Sequence, residues 1–203
     1  MQNKKLMWMF VAAVLLIPIT VFGIVHWCQS TYEKLPILGE KGHTIPDFEL
    51  RNQYGNATST KSWNNRIVVV NFFFTHCPSI CPKMMYQLKR VQAYSGVDDL
   101  NICSFTVDPE RDSVERLKAY AGQMELHGDW ELITGDKKEL YRLARKSFYL
   151  DATDGDSGAN DFIHSDKLVL IDKEKRIRGF YNGTDEADVN KLITDIKKLQ
   201  MER

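Results

Sequence analysis

The hydrophobic residues divide this chain of 203 residues into one long apolar segment and a mixed remainder. Residues 6–25 carry no charge, and a helix of about 20 residues crosses the roughly 30 Å hydrocarbon core of a bilayer. Lys4 and Lys5 precede the apolar run, and such positive flanks keep the preceding terminus in the cytoplasm. The pattern predicts a cytoplasmic N-terminus at 1–5, a transmembrane anchor at 6–27 and export of everything that follows.

A cleaved signal peptide and a lipidated Cys28 are alternative interpretations of this segment. The apolar run is long for a signal peptide, and Val25, His26 and Trp27 provide neither a small-x-small cleavage site nor the small residues of a lipobox. We therefore expect a single-pass protein of the bacterial cytoplasmic membrane, with its soluble domain on the outer, periplasmic face. Residues 28–43 contain Pro and Gly among polar residues and are predicted to form a linker.

From residue 44 to residue 203 the hydrophobic spacing becomes that of an α/β domain. A short hairpin is expected around the turn at 53–56, and apolar runs predict strands at 66–75, 100–107, 130–133, 167–172 and 177–181. Helical spacing predicts helices after residue 81, after Asp112, after Asp136 and near the C-terminus. This order favours an α/β, thioredoxin-like fold with an N-terminal hairpin extension, preceded by one transmembrane helix.

Charge and cysteine content exclude two classes of protein. The chain has 27 basic and 27 acidic residues and a formal net charge of zero. No basic face or run stands out, so we expect no nucleic-acid partner. Four cysteines are too few for a disulfide scaffold. Cys103 lies within an alternating strand pattern and is predicted to be a buried core thiol.

The chemistry-bearing feature is a pair of cysteines, each followed by proline, where an apolar strand meets a helix. If Cys81 lies in the first helical turn, the spacing of four places Cys77 at the helix entrance on the same side. Unpaired N–H groups and the helix dipole there favour thiolate, so both sulfurs are predicted to be nucleophilic and able to bind a soft metal. A structural disulfide or two buried core thiols are the alternatives.

Three sequence blocks resemble a known family. They are Phe-Thr-His-Cys-Pro-Ser-Ile-Cys-Pro at 74–82, Thr-Val-Asp-Pro-Glu-Arg-Asp at 106–112 and Phe-Ile-His-Ser-Asp-Lys-Leu-Val-Leu-Ile-Asp at 162–172. Together they resemble the SCO/SenC family of membrane-anchored, copper-binding thioredoxin-fold proteins. The resemblance spans roughly residues 44–200.

This resemblance implies that Cys77, Cys81 and His164 bind copper. It also implies a role in assembling the binuclear copper centre of cytochrome c oxidase. The expected partners are then the copper-binding subunit of the oxidase and a copper donor.

The donor chemistry agrees with a copper site but does not require one. Two thiolates and an imidazole suit Cu(I), with room for a weak extra ligand to Cu(II), whereas the same set also fits an open zinc site. His76 is expected to point away from the pair along the strand's alternation. Asp108 is a candidate for supporting the ligands from outside the metal's coordination sphere. Asp112, three residues before Glu115, is interpreted as a helix cap.

Two further features have competing interpretations. Met84 and Met85 could serve copper, but their spacing with Leu88 and Val91 favours core packing. The acidic residues preceding His164 lack the spacing of an EF-hand calcium loop and predict a mobile, solvated loop; they are Asp151, Asp154, Asp156 and Asp161.

Three functional classes follow from these residues. The first is a copper metallochaperone. The second is a thiol-disulfide oxidoreductase that reduces the copper-site cysteines of the oxidase, which needs the cysteine pair but not His164. The third, a peroxidase, is disfavoured because the second cysteine lies so close and the chain lacks a Pro-x-x-x-Thr-x-x-Cys block.

Overall fold

The structure is a computed structural model that describes residues 2–31, 34–96, 98–150 and 165–202. The chain forms two compact units, residues 1–34 and residues 35–203. The predicted acidic loop and His164 lie outside the described residues.

The first unit contains helix α1, Gln2–Thr31. Its segment Met7–Val25 has a mean hydropathy of 2.5 and is exposed along its length. A helix of 19 residues is about 28 Å long, so this segment is apolar and long enough to cross a membrane. Pro18 lies within the helix, and the nearby Thr20 hydroxyl donates to the Leu16 carbonyl at 3.0 Å.

The second unit is built around one seven-stranded sheet. Its strands are β1 Leu50–Asn52, β2 Ala57–Thr58, β3 Ile67–Phe73, β4 Leu100–Thr106, β5 Trp130–Thr134, β6 Lys167–Ile171 and β7 Ile177–Asn182. The order across the sheet is β2-β1-β5-β4-β3-β6-β7. Strands β3, β4 and β5 are parallel, and the two hairpins, β1–β2 and β6–β7, join them antiparallel at either side.

Helices of the second unit alternate with these strands as the sequence predicts. They are α2 Ile80–Tyr94, α3 Val114–Gln123, α4 Lys137–Arg142 and α5 Glu186–Met201. A 3₁₀ helix, Thr60–Trp63, precedes β3, and a π-helical turn, Leu143–Ser147, extends α4. The predicted N-terminal hairpin is confirmed as β1 and β2, and the thioredoxin-like order of elements is present.

The central strands separate two hydrophobic cores. Alternate residues of β3 face opposite sides, so Ile67 and Val69 join one core while Val68 and Val70 join the other. The first core takes apolar faces from α2, α3 and α5, and the second takes α4 and the 3₁₀ helix. Both faces of the sheet are covered, which explains why β3 is a nearly continuous apolar run.

The sheet register brings several loops to one edge. The parallel strands β3 and β4 end together, since Phe73 pairs with Thr106. Strand β6 runs the other way, with Val169 opposite Val70, so its first residue lies near the same edge. The segment 74–79, the segment 107–113 and residues 165–166 therefore meet where parallel sheets commonly carry their sites.

The chain enters the second unit at the opposite edge of the sheet. The Arg178 side chain is 4% exposed and donates to the carbonyl oxygens of Leu35 and Pro36. It also forms ion pairs with Asp172 at 3.0 Å and Glu202 at 2.6 Å. The unit therefore begins at Leu35, within the segment predicted as a linker, because this buried guanidinium holds that stretch against the domain.

Candidate functional site

The two cysteines lie where β3 passes into α2. The Cys77 N–H donates to the Phe74 carbonyl at 3.2 Å, which turns the chain back after the strand. Ser79 occupies the N-cap position but makes no side-chain cap hydrogen bond. The Cys81 N–H donates instead to Cys77 Sγ at 3.4 Å. A sulfur atom therefore occupies the position of a helix-capping acceptor.

A cleft of about 200 Å³ opens at this loop. Its walls combine the two thiols with apolar side chains and the residue that precedes β6; they include Phe72, Phe73, Phe74, Cys77, Pro78, Ile80, Cys81 and Ser165. Both cysteines of the pair are free thiols. The cleft thus presents two sulfur donors in a mainly apolar setting.

Cys77 is the activated thiol of the pair. Partial burial by itself raises its pKa, but hydrogen bonds from the backbone N–H groups of Cys81, Ser79 and Ile80, and from the Cys81 thiol, outweigh burial. The net effect lowers the pKa of Cys77 below its ordinary value. This agrees with the prediction that the helix N-terminus favours a thiolate at this position.

The prediction of a second activated thiol at Cys81 is wrong. Cys81 is 5% exposed, and burial raises its pKa to about 12. Hydrogen bonding and charge at Cys77, and the charge of Asp112, add to the increase, while a hydrogen bond with the Phe74 backbone opposes it. The spacing predicted the shared location, but burial of Cys81 in the core decides its protonation.

The predicted helix cap at Asp112 is also wrong. Ser113 caps α3, and its hydroxyl accepts from the Arg116 N–H. Asp112 is completely buried and accepts hydrogen bonds from the Thr75 N–H and hydroxyl. Both residues fit the sequence pattern of a cap, but the Ser113 side chain reaches the exposed first turn while Asp112 faces the cysteine loop.

Two further residues, His76 and Tyr120, belong to the elements that carry or pack against the cysteine loop. His76 is exposed, and its Nδ1 lies 3.1 Å from the Thr75 hydroxyl. Tyr120 packs on Phe73 with ring centroids 5.7 Å apart, and burial together with the charges of the two cysteines raises the pKa of Tyr120 to about 12. The sequence did not indicate that Tyr120 lies near the cysteines, because Tyr120 only fits the apolar spacing of α3.

Asp108 is buried after β4. Its N–H donates to the Thr106 hydroxyl at 3.0 Å. Its Oδ2 lies 3.8 Å from the Arg111 guanidinium without a hydrogen bond. It does not line the cleft of Cys77 and Cys81 among the described residues.

The predictions for Cys103, Met84 and Met85 are confirmed. Cys103 is fully buried, and burial, with the charge of Glu131, raises its pKa. Met84 and Met85 are fully buried in the first core with Leu88, as expected for packing residues. These sulfur atoms are enclosed by the fold and do not line the cleft.

Within the described part of the chain, no three His, Cys, Asp or Glu side chains cluster closely enough to hold a metal ion. The predicted third ligand, His164, lies outside the described residues. Ser165, which directly follows it in sequence, lines the cleft with both cysteines.

Comparison with known proteins places this arrangement in a family. Residues 38–200 match the family model described as SCO1/SenC. The chain belongs to the SCO1/SenC family. The match includes the cysteine pair, the segment 106–112 and the start of β6, which are the regions whose sequence resembles that family.

Known SCO proteins resemble the chain in sequence and in fold. The SCO1 protein homologue of Bacillus subtilis is 30% identical over 159 residues, covering 76% of this chain and 82% of the relative. The structure of BsSco, described as a member of the Sco family of cytochrome c oxidase assembly proteins with a disulfide switch, has a TM-score of 0.68 at 26% identity. That alignment covers 84% of this chain and 100% of BsSco.

A copper-bound relative is also similar. The structure of Arabidopsis thaliana ScoI with copper bound gives a TM-score of 0.62 at 28% identity, covering 78% of this chain and 99% of ScoI. These similarities confirm the predicted thioredoxin-like fold.

Proposed function

We propose that this SCO1/SenC protein is a copper metallochaperone that binds copper through Cys77, Cys81 and His164. The cysteine sulfurs supply two soft donors, and the imidazole completes a three-coordinate set suited to Cu(I). Copper is the cargo: the protein receives it from a donor and passes it to the copper-binding subunit of cytochrome c oxidase, where it helps build the binuclear copper centre.

The observation that carries this proposal is the composition of the cleft. Cys77 and Cys81 line it together with Ser165. His164 directly precedes Ser165 in the sequence and is therefore covalently linked to a residue of the cleft. This connectivity supports His164 as the third ligand, and the apolar walls favour a soft, weakly hydrated ion over a hard one.

Relatives support copper as the cargo and the oxidase as its destination. Arabidopsis ScoI has been solved with copper bound, and BsSco is described as belonging to a family of oxidase assembly proteins. The cysteine pair of this chain lies within the segment that matches the family model.

A thiol-disulfide oxidoreductase is the second candidate function. The lowered pKa of Cys77 favours attack on a disulfide, and the buried Cys81 then resolves the mixed disulfide. The disulfide switch named for BsSco is consistent with such chemistry. In this role the protein would reduce the oxidase cysteines before copper arrives, and His164 would be dispensable.

A His164→Ala strain separates these two functions. We expect its oxidase to lack copper while Cys77 and Cys81 still oxidise reversibly, since exchange needs only the two thiols. His127→Ala is the matched control because His127 is exposed beyond the far end of α3. Normal oxidase copper content in the His164→Ala strain, with a loss in a Cys77→Ala strain, would favour the reductase.

We further propose that α1 anchors the protein in the bacterial cytoplasmic membrane with the cysteines on the periplasmic side. Lys4 and Lys5 precede the apolar segment Met7–Val25, and positive charge at that end favours a cytoplasmic N-terminus. Fusion of alkaline phosphatase after residue 203 should give an active enzyme, because that enzyme needs an oxidising compartment. Activity only from a cytoplasmic reporter fused at the same position would reverse the topology.

A further inference from the structure

A buried carboxylate joins three elements at the cysteine edge of the sheet. Asp112 Oδ1 accepts from the Thr75 hydroxyl at 2.6 Å. Asp112 Oδ2 accepts from the Thr75 N–H at 3.1 Å and from the Thr106 hydroxyl at 2.5 Å. These bonds connect the residues after β3, the end of β4 and the segment leading into α3.

The burial of this carboxylate depends on its hydrogen bonds. Asp112 is 0% exposed, and burial of a carboxylate costs several kcal/mol unless hydrogen bonds compensate. The three donors named above are all neutral groups, so the compensation depends on their geometry. Two of the three belong to Thr75, which means that the carboxylate mainly restrains that residue.

Thr75 is restrained from a second direction. The Arg116 Nε donates to the Thr75 hydroxyl at 3.0 Å, which leaves that hydroxyl acting as donor to Asp112 and acceptor from α3. Thr75 lies two residues before Cys77, inside the turn that the Cys77 N–H closes onto Phe74. A displacement of Thr75 would therefore move Cys77 relative to the helix entrance.

We propose that Asp112 is a positioning residue for the cysteine pair, which through Thr75 holds Cys77 Sγ against the first turn of α2 and sets its distance from Cys81. The inference rests on the proposed function of that pair. Asp112 touches neither sulfur through a hydrogen bond in the network described above. Asp112 affects any reaction of the cysteine pair because it fixes the position of Cys77 Sγ.

The test uses the full chain in detergent and a glutathione redox buffer. At equilibrium the two thiols of Cys77 and Cys81 form one disulfide, while one oxidised glutathione accepts the two electrons and two protons and becomes two reduced glutathiones. The equilibrium constant reports the effective concentration of one sulfur near the other. It therefore responds to a change in their relative position and does not require copper.

Asp112→Asn replaces one acceptor oxygen with an N–H donor that faces other donors, while it preserves side-chain volume. We expect its glutathione equilibrium constant to change at least about tenfold and its copper affinity to fall by about tenfold or more, as is typical when a supporting group is lost. Asp195→Asn is the matched control. Asp195 is another buried carboxylate and accepts from the Tyr181 hydroxyl at 2.9 Å, so it should lower stability but leave the glutathione constant unchanged.

A second pair of variants tests the connection through Thr75 itself. Thr75→Ser keeps the hydroxyl and the N–H and should behave like the wild type. Thr75→Val removes the hydroxyl at similar volume and should reproduce the effect of Asp112→Asn, even if Asp112→Asn does not fold. Equal glutathione constants for Ser and Val at position 75 would overturn the proposal.

The controls also separate this inference from the proposed function. If the wild type binds no copper, the metallochaperone assignment fails, yet the glutathione constants still test the positioning role. If copper binds with the predicted ligands but Asp112→Asn and Asp195→Asn shift the glutathione constant alike, the positioning role fails alone.

Discussion

Two cysteines four residues apart differ chemically because only one is enclosed by the core. Cys77 receives hydrogen bonds from backbone N–H groups of the helix entrance, and its pKa falls. Cys81 packs into the first core, and its pKa rises to about 12. A pair in which one thiol ionises more readily and the other is buried suits both stepwise disulfide exchange and capture of a soft ion.

We predict that Cys77 reacts with iodoacetamide well before Cys81 in the native protein. The reason is that the thiolate is the reacting form, and Cys81 is both buried and held protonated near neutral pH. Peptide mass spectrometry after brief alkylation of the reduced full chain measures this order, with Cys103 as the buried control. Faster labelling of Cys81 would contradict the assigned asymmetry.

The sequence predicted where the two cysteines lie, but it did not predict that their pKa values differ. The spacing of Cys77 and Cys81 and the strand before them sufficed to place both at a helix entrance. The pKa of Cys81 depends first on its burial in the core and then on charges that include Asp112, which comes from another part of the chain. The cap was misassigned for the same reason, because Asp112 and Ser113 both match a local pattern that only tertiary contacts distinguish.

At the scale of elements, the sequence predicted nearly all strands because the central ones are buried on both faces. All residues of β3 and β4 are buried, so β3 appears as a nearly continuous apolar run, interrupted by Asn71, and β4 as an alternating pattern. The π-helical turn Leu143–Ser147 was not predicted, since its residues have the same apolar spacing as a helix. The attachment of residues 35–36 to Arg178 was also missed, because it joins distant parts of the chain.

Loss of the Arg178 side chain should destabilise the domain strongly. We predict that Arg178→Met lowers the free energy of unfolding by about 3–5 kcal/mol, because it removes the buried guanidinium that pairs with the buried Asp172 and the partly buried Glu202. Arg176→Met is the matched control. Arg176 also pairs with Asp172, but its side chain is 33% exposed, so the expected cost is about 0–1 kcal/mol.

Chemical denaturation under reducing conditions measures both changes. Equal decreases in the free energy of unfolding for Arg178→Met and Arg176→Met would show that the buried Arg178 side chain stabilises the domain no more than a surface ion pair does.

At the scale of the whole molecule, a buried thiol and a buried phenol make the free energy of unfolding depend on pH in the alkaline range. The folded protein holds the pKa of Cys81 and that of Tyr120 near 12, above their ordinary values of 9.0 and 10.0. Between the ordinary and the raised pKa, the unfolded chain releases protons that the folded chain retains. Rising pH therefore favours unfolding.

We predict that the free energy of unfolding falls as the pH rises from about 9 to about 11, by up to about 1.4 kcal/mol per pH unit for each such group. Denaturant titrations across this range, with reductant present, measure the slope. Tyr120→Phe should flatten the decline above about pH 10, because it removes one titrating hydroxyl while keeping the ring. A stability that stays constant or rises over this range would contradict the prediction.

The central claim is that the Cys77 and Cys81 sulfurs hold copper, and the copper content of the purified full chain tests it most directly. We predict one copper ion per chain for the wild type and for Cys103→Ala, which removes a buried thiol outside the cleft. The Cys77→Ala, Cys81→Ala double variant should retain none after dialysis, because both soft donors are gone. Stoichiometric copper in that double variant would contradict the account.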